Sequence, residues 1–244
     1  MSKTKLEDIK IGQVFPTNQG GTITIKEVIN YRNIVVEHND EYKHTATVKL
    51  QRVLTGEIKN PYFPNVHGVG FIGTGKYSYK DKTAYQLWQG MITRSYSQKT
   101  KERQPKYADV TTAKEWHNFQ NFAEWFYSQS HYMDGYNLDK DILKEGNKVY
   151  SPSTCCLVPQ EINKLFINRG NPDRLLPTGV QLCKGRYQVK VGQKYIGSYD
   201  TPELASQAYQ SAKREYVLEK VDTWKNKVDP KVIKAMLDLA NNNR

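Results

Sequence analysis

The chain has 244 residues and a formal net charge of +11 at pH 7, with 38% hydrophobic residues and a mean hydropathy of −0.75. This composition limits the size of any one core and favours several small domains over a single large one. A chain this basic typically meets a polyanion, most often nucleic acid, although a merely solvated basic surface has the same composition.

The composition also argues against export and against a membrane span. The N-terminal MSKTKLEDIKIGQ has no apolar segment of a secretory signal, and no stretch approaches the roughly 18 apolar residues of a transmembrane helix. The cysteines Cys155, Cys156 and Cys183 form no C-x-x-C pair, which argues against a disulfide scaffold and cysteine-ligated zinc. We therefore expect an intracellular, cytoplasmic protein with buried thiols and no membrane partner.

Residues 11–58 alternate between apolar and polar side chains as short strands do. The β-branched runs TITIKEV and NIVVEHN are separated by Asn30–Arg32 and preceded by the turn signal NQGG, and no helical period appears before Asn60. We predict a small all-β domain over residues 1–60, a compact barrel, followed by the linker KNPYFPNVHG. Such a barrel is a plausible contact for a protein partner or for nucleic acid, by analogy alone.

A glycine-rich segment, GVGFIGTGK at residues 68–76, matches G-x-G-x-x-G and comes close to a phosphate-binding P-loop. No buried strand precedes it, and Tyr77 stands where a P-loop needs serine or threonine. We therefore do not predict nucleotide binding here.

Two segments after Lys82 have helical periodicity, and the polar SQKTKERQPKYAD between them is predicted to be a loop. An aromatic stripe at helical spacing is typical of a buried core rather than a base-stacking surface. The periodic side chains are Leu87, Met91 and Arg94 in AYQLWQGMITRSY, and Trp116, Phe119, Ala123 and Phe126 in EWHNFQNFAEWFY.

The next thirty residues predict strand, turn, strand and helix, in LDKDIL, LKEGNK, VYSPSTCCLV and PQEINKLF, with Pro159 in the first helical turn. Asp139 lies on the first predicted strand, and Asn163 lies on the helix where it can face that strand. Asp141 shares the face of Asp139 if the segment is extended. Phosphodiester hydrolysis needs such oxygen ligands for a divalent metal, together with a base that activates water.

This region resembles the HNH endonucleases of phages and mobile elements, particularly the homing type. The resemblance implies a ββα-metal domain over residues 67–168 with preceding helices, which hydrolyses DNA with Mg²⁺ or another divalent metal bound by Asp139, Asp141 and Asn163. If the protein is phage-encoded, its compartment is the bacterial host cell. The residues that carry the resemblance are Trp116–Trp125, Leu138-Asp139, Gly146-Asn147, Tyr150-Ser151-Pro152 and Asn163.

The pattern departs from the family at two positions. Lys140 stands where these enzymes have the catalytic histidine, and Thr154 stands at about the position of the middle asparagine. Lys140 is a candidate base only if it is held neutral; His117 and His131 are the alternative candidates, although a lone histidine is more often structural. Two hypotheses follow: a metal-dependent DNA endonuclease, or a catalytically degenerate HNH-fold DNA-binding protein that acts as a regulator or inhibitor.

The C-terminal third predicts a three-stranded sheet and a helix. After the linker INRGNPDRLLPTG, the alternating runs GVQLC, RYQVKV and KYIGSYD are separated by turns at Lys184-Gly185 and Gly192-Gln193. Thr201 and Pro202 predict the start of a helix, and a second helix is predicted from Pro230 to Ala240. We predict one domain over residues 177–222 and a final helical segment over residues 223–244.

Residues 177–222 resemble the Apetala or ethylene-response-factor type of DNA-binding domain, through GVQ, GRYQVKV and YIGSYDTPELASQAY. The resemblance implies that one face of the sheet enters the major groove of double-stranded DNA. Tyr187 and Tyr195 are expected on the opposite, helix-packed face. The candidate DNA-binding residues are Gln181 and Gln188 for adenine edges, and Arg186, Lys190 and Lys194 for guanine or phosphate; the alternative is a merely solvated sheet face.

The sequence as a whole therefore predicts a multidomain α+β protein of phage or mobile-element type. Its expected order is a small all-β barrel, an HNH-like ββα core with preceding helices, and a three-stranded sheet with a helix. Double-stranded DNA is the expected partner, and a divalent metal is the expected cofactor.

Overall fold

A computed structural model describes residues 5–80, 82–131, 133–167 and 176–241. The fold is mixed α+β, as predicted. The chain divides into two compact units. The first comprises Met1–Ala108 and Lys114–Glu124, and the second comprises Asp109–Ala113 and Trp125–Arg244.

The boundaries of these two units differ from those of the predicted domains. The division into functional domains stays a prediction. The predicted barrel and the helical segment AYQLWQGMITRSY lie in the first unit, and the ββα segment lies in the second unit with the C-terminal sheet. The segment EWHNFQNFAEWFY is divided between the two units after Glu124. Most of the predicted linker INRGNPDRLLPTG lies outside the described residues.

The strands are short, and most of them pair with a neighbour in the sequence. In chain order they are β1 Val14–Pro16, β2 Thr22–Asn30, β3 Asn33–His38, β4 Thr45–Val48, β5 Thr111–Thr112, β6 Asn137–Asp139, β7 Val149–Tyr150, β8 Cys156–Val158, β9 Val180–Cys183, β10 Arg186–Val191 and β11 Lys194–Tyr199.

The helices of the described residues are, in chain order, α1 Leu50–Thr55, α2 Lys82–Tyr96, α3 Gln98–Arg103, α4 Phe119–Ser128, α5 Gln160–Phe166, α6 Pro202–Trp224 and α7 Pro230–Asn241. The two longest of them were predicted from the sequence, α2 from its helical periodicity and α6 from the Thr201-Pro202 start signal. Within the described ranges, no helix combines the length and apolar character needed to cross a bilayer.

The N-terminal sheet is an open antiparallel meander in the order β1-β2-β3-β4, so the prediction of a barrel is wrong. Closure would need β1 to pair with β4, and among the described residues these strands stay at opposite edges. Ile23, Ile25 and Ile34 are fully buried on one sheet face. Val53 of α1 and Ile58 join the same cluster, so a short helix that we did not predict takes the place of barrel closure in covering the core.

Three glycines of the glycine-rich segment, Gly70, Gly73 and Gly75, lie close to neighbouring side chains within the first unit. A side chain at Gly73 or Gly75 would collide with the amide groups of Asn118 or Gln120. Gln120 also hydrogen-bonds to this segment, where its Nε2 donates to the carbonyl oxygen of Tyr77 at 2.9 Å. Packing against Asn118 and Gln120 therefore accounts for Gly73 and Gly75.

The predicted polar loop after α2 contains helix α3 instead. Ser97 caps this helix, since its Oγ accepts the backbone N–H of Thr100 at 3.3 Å. Thr100 is the one buried residue of α3, so the helix has no apolar stripe for a periodicity argument to detect. The aromatic stripe is buried, which confirms that it forms core. The predicted helix is interrupted, however, because Trp116 lies in a separate 3₁₀ turn, Lys114–His117, and α4 begins only at Phe119.

The predicted order of strand, turn, strand and helix is present in the second unit. Strand β6 pairs antiparallel with β8, and α5 begins directly after Pro159 and contacts β6. The second predicted strand is broken in two, because residues 151–155 form a turn at Pro152. Its first part, β7, instead pairs in parallel with β5.

The C-terminal elements match the prediction closely. The sheet has the order β11-β10-β9 and packs against α6 through the buried Val180, Val189 and Ala205. Thr201 caps α6, with its hydroxyl accepting the N–H of Leu204 at 3.3 Å. Helix α6 continues beyond the predicted boundary at residue 222, and α7 packs against it.

Candidate nucleic-acid interface

Strand β10 separates the C-terminal sheet into two chemically different faces. Val189 and Val191 are buried toward α6, whereas Arg186, Gln188 and Lys190 alternate with them and point to the other side. Directly opposed residues of antiparallel strands share a face, and Gln181 opposes Gln188. Strand register therefore brings four of the five predicted DNA-binding residues together on one surface.

Tyr195 joins these four residues, contrary to our prediction that it packs on the helix. The register between β10 and β11 shifts after Val189, so Tyr195 opposes Lys190 and Ile196 takes the inward position. Tyr195 is consequently 52% exposed. The signal for this bulge was Gly197, because a glycine inside a strand often marks one. We call this surface, formed by Gln181, Arg186, Gln188, Lys190 and Tyr195, the outer face.

Arg186 is held on the outer face by weak, exchangeable contacts. Its Nη2 lies 3.1 Å from the carbonyl oxygen of Ser198 and 3.1 Å from Asp200 Oδ1. The two charged side chains are 54% and 78% exposed, so the ion pair is screened and contributes little to stability. A phosphate or a guanine can therefore displace Asp200 at small cost.

Lys194 is the fifth predicted DNA-binding residue and lies apart from the outer face. It opposes Val191 at the hairpin end, beside the turn at Gly192, and its side chain is exposed. A lysine at this position can reach a phosphate at the rim of an interface but is not aligned with the base-reading glutamines.

Helix α6 joins the sheet to the ββα segment within the second unit. Near its C-terminal end, Trp224 Nε1 donates to Glu161 Oε1 of α5 at 2.7 Å, and Lys220 Nζ lies 3.1 Å from the same oxygen. The hydrogen bond from Trp224, followed by the interaction with Lys220, lowers the pKa of Glu161 below its ordinary value. The sequence carried no sign of this link.

Asp139 holds the turn that follows β6. Its Oδ1 accepts the backbone N–H groups of Asp141 and Ile142 at 2.7 and 2.9 Å. This side-chain-to-backbone arrangement is a common structural role of aspartate.

Lys140 is buried, and its ammonium group donates hydrogen bonds to Asp141 and Asn147. Its side chain is 8% exposed, and Nζ lies 2.6 and 2.7 Å from the two oxygens of Asp141 and 2.7 Å from the carbonyl oxygen of Asn147. Asn147 returns the contact by donating from Nδ2 to the carbonyl oxygen of Lys140 at 2.9 Å. A general base needs a free lone pair, whereas this ammonium uses its donors to close the loop between β6 and β7.

Asp141 and Asn163 differ in their availability to a metal. The prediction for Asp141 assumed an extended chain, but β6 ends at Asp139 and both oxygens of Asp141 face Lys140. Asn163 is half-buried on α5, the helix that contacts β6. Of the three predicted metal ligands, Asp141 is ion-paired with Lys140, whereas Asp139 and Asn163 lie on β6 and α5, two elements in contact.

The two candidate histidines lie in different units. His131 is exposed in the second unit and lines a cavity of about 210 Å³ with Cys156 and Asp229. Cys156 is the strand partner of Asp139, so His131 lies near the ββα segment. His117 lies in the first unit, where its Nε2 is 3.0 Å from Tyr96 Oη.

Two buried thiols, Cys155 and Cys156, lie at the start of β8. Burial raises the pKa of the Cys155 thiol to about 12, and burial together with the Asp139 carboxylate raises that of Cys156 as well. Because the folded state holds these protons more tightly than the unfolded state, the free energy of unfolding should fall as pH rises above about 9, the ordinary thiol pKa.

We therefore expect a single rapid reaction of native protein with a thiol-specific disulfide reagent near about pH 8, at the half-buried Cys183. Cys155 and Cys156 should react only after denaturation. Cys183→Ser should abolish the rapid phase, and a second rapid thiol in the native protein would contradict the burial of the β8 pair.

In the described part of the chain, no three histidine, cysteine or carboxylate side chains lie close enough together to hold a metal ion. Comparison of the chain with protein-family models, with curated proteins and with solved structures gives no match.

Proposed function

We propose that the protein binds double-stranded DNA through the outer face of its C-terminal sheet. The observation that carries the proposal is the register, which places two glutamines, an arginine, a lysine and a tyrosine on one exposed face. Glutamine pairs with adenine, arginine pairs with guanine or phosphate, and a sheet fits the major groove. The net charge of +11 agrees with a polyanionic partner.

Titration of a labelled duplex of about 30 base pairs with the full chain, at salt from about 50 to 200 mM, tests this proposal. Fluorescence anisotropy should report binding whose affinity falls steeply with salt, because bound phosphates release counterions. Absence of binding at the lowest salt concentration would overturn it.

The second candidate function is a metal-dependent DNA endonuclease at the ββα segment, of the phage or homing type. The favouring observation is the ββα order itself, with Asp139 on β6, Asn163 on the contacting α5 and His131 nearby. In such an enzyme Asp139 and Asn163 would hold Mg²⁺ or a similar ion, which stabilises charge on the phosphate. His131 would be the base, since Lys140 is engaged elsewhere. The alternative is a catalytically degenerate DNA-binding regulator or inhibitor.

Asp139→Asn separates these functions without disturbing the turn. Asparagine keeps an oxygen that accepts the N–H groups of Asp141 and Ile142, but it loses the charge that a cation needs. If the protein is a nuclease, nicking of supercoiled plasmid with Mg²⁺ or Mn²⁺ should fall at least about tenfold while duplex affinity stays unchanged. Asp238→Asn, at an exposed position of α7, is the matched control.

Plasmid that is bound but uncut with every metal, in wild-type protein and in both variants, would contradict the nuclease. Nicking that survives Asp139→Asn would remove Asp139 from the site.

A further inference from the structure

The first unit contains a polar cleft that the proposed function does not use. It is a shallow, largely open depression between α2 and α3 with a volume of about 410 Å³. Its lining combines guanidinium groups with carboxamides, and no carboxylate occurs among the described residues that line it. The groups that matter are Arg94, Arg103, Gln86, Gln89 and Gln104.

Gly90 forms part of this cleft and has no packing reason to be glycine. It lies in the interior of α2, where glycine is less favourable than alanine. An added Cβ would meet only Arg94 Nη1, at 3.4 Å, among the described atoms. The absence of a side chain therefore leaves the cleft lining open at Gly90, beside the guanidinium group of Arg94.

We propose that this cleft binds the phosphodiester backbone of a DNA strand, as a second contact besides the outer face. The proposal rests on the proposed DNA-binding function. Guanidinium groups bind phosphate oxygens in a bidentate manner, and the bare helix backbone at Gly90 lets the chain of sugars and phosphates come close. Adjacent carboxamides donate and accept hydrogen bonds, which suits sugar and base edges.

The charge around the cleft agrees with this ligand. Helix α3 carries Lys99, Lys101 and Arg103 against one acid, Glu102, whose carboxylate accepts a hydrogen bond from Gln98 at 3.1 Å. A local excess of positive charge raises the concentration of a polyanion at the cleft.

The first variant is Arg103→Gln in the full chain, titrated with the same labelled duplex. Arg103 is exposed, so its replacement should leave the fold intact. We expect affinity to fall about tenfold and the salt slope to fall by about 1. Arg52→Gln removes the same charge from an exposed helical arginine of the first unit outside the cleft, and it should change affinity less than about twofold.

The second variant, Gly90→Ala, has two effects of opposite sign. A better helix former should raise Tm by about 2–4 °C, while the methyl group in the cleft lining should weaken duplex binding at least about threefold. Ser211→Ala, exposed in α6, should also raise Tm but leave binding unchanged. Unchanged affinity in Gly90→Ala and Arg103→Gln would overturn the proposal.

Inorganic phosphate as a probe distinguishes the sources of the anion. If Arg103→Gln weakens the binding of phosphate but leaves duplex affinity unchanged, the cleft is a free-anion site and the proposal fails. If phosphate at about 10 mM, with ionic strength held constant, weakens duplex binding by the wild type more than by Arg103→Gln, the strand contact is supported. If Arg103→Gln weakens duplex binding and variants of the outer face do not, the proposed function of the sheet is wrong and the cleft proposal stands. If only the outer-face variants weaken binding, the cleft proposal alone is wrong.

Discussion

Replacing Arg186 and Lys190 by glutamine should weaken duplex binding about ten- to a hundredfold near about 0.1 M salt. Both side chains are exposed on the outer face, and the ion pair between Arg186 and Asp200 is too screened for its loss to unfold the sheet. Two lost phosphate contacts should also reduce the salt slope by about 1.8, because each contact contributes about 0.9. Fluorescence anisotropy at several salt concentrations measures both quantities.

The matched control removes the same charge elsewhere in the second unit. Lys231→Gln with Lys234→Gln acts on exposed positions of α7, so it changes net charge without touching the outer face. This control should change affinity less than about threefold. Equal losses in the two double variants would mean that the protein binds by overall charge alone and that the sheet has no special role.

Replacing Lys140 by alanine should destabilise the protein by about 2 kcal/mol, because it removes hydrogen bonds from a buried charged group. The carbonyl oxygen of Asn147 would lose its donor, and Asp141 would lose its counterion. The Asp141 side chain is half exposed, so water compensates part of that loss. In a chain of this size Tm should fall by about 4–8 °C, as measured by thermal unfolding.

Lys144→Ala tests the same loop at an exposed position and should leave Tm within about 1 °C. The pair of variants also separates a structural Lys140 from a catalytic one. If Lys140→Ala kept wild-type Tm but abolished metal-dependent nicking, the lysine would be the base and its role in closing the loop would be minor.

In the C-terminal region, local sequence signals were sufficient to predict the secondary structure. Three alternating runs, a Lys184-Gly185 turn with positive φ at both residues, and a Thr201 cap followed by Pro202 each act within a few residues. These signals predicted every strand and the helix start of this region. Alternation also places Arg186, Gln188 and Lys190 on one face of β10, whereas Gln181 joins them only through the register between β9 and β10.

Three features of the structure were not predicted from the sequence. A sheet of four short strands does not reveal whether its edges meet, and here α1 covers the core instead of a closing β1–β4 pair. The bulge at Ile196 turned Tyr195 outward, since one extra residue reverses the alternation beyond it. The Glu161–Trp224 hydrogen bond joins residues 63 positions apart.

The sequence by itself determined the elements whose cause is local: the aromatic helix, the hairpin turns, the α6 cap and the polar face of β10. Tertiary structure decided what the charged residues do. Lys140 was a candidate base in the sequence, and its partner Asn147 lies seven residues away across a loop whose path no periodicity predicts. A side chain's chemistry depends on which atoms surround it, and that is decided only when the chain has folded around it.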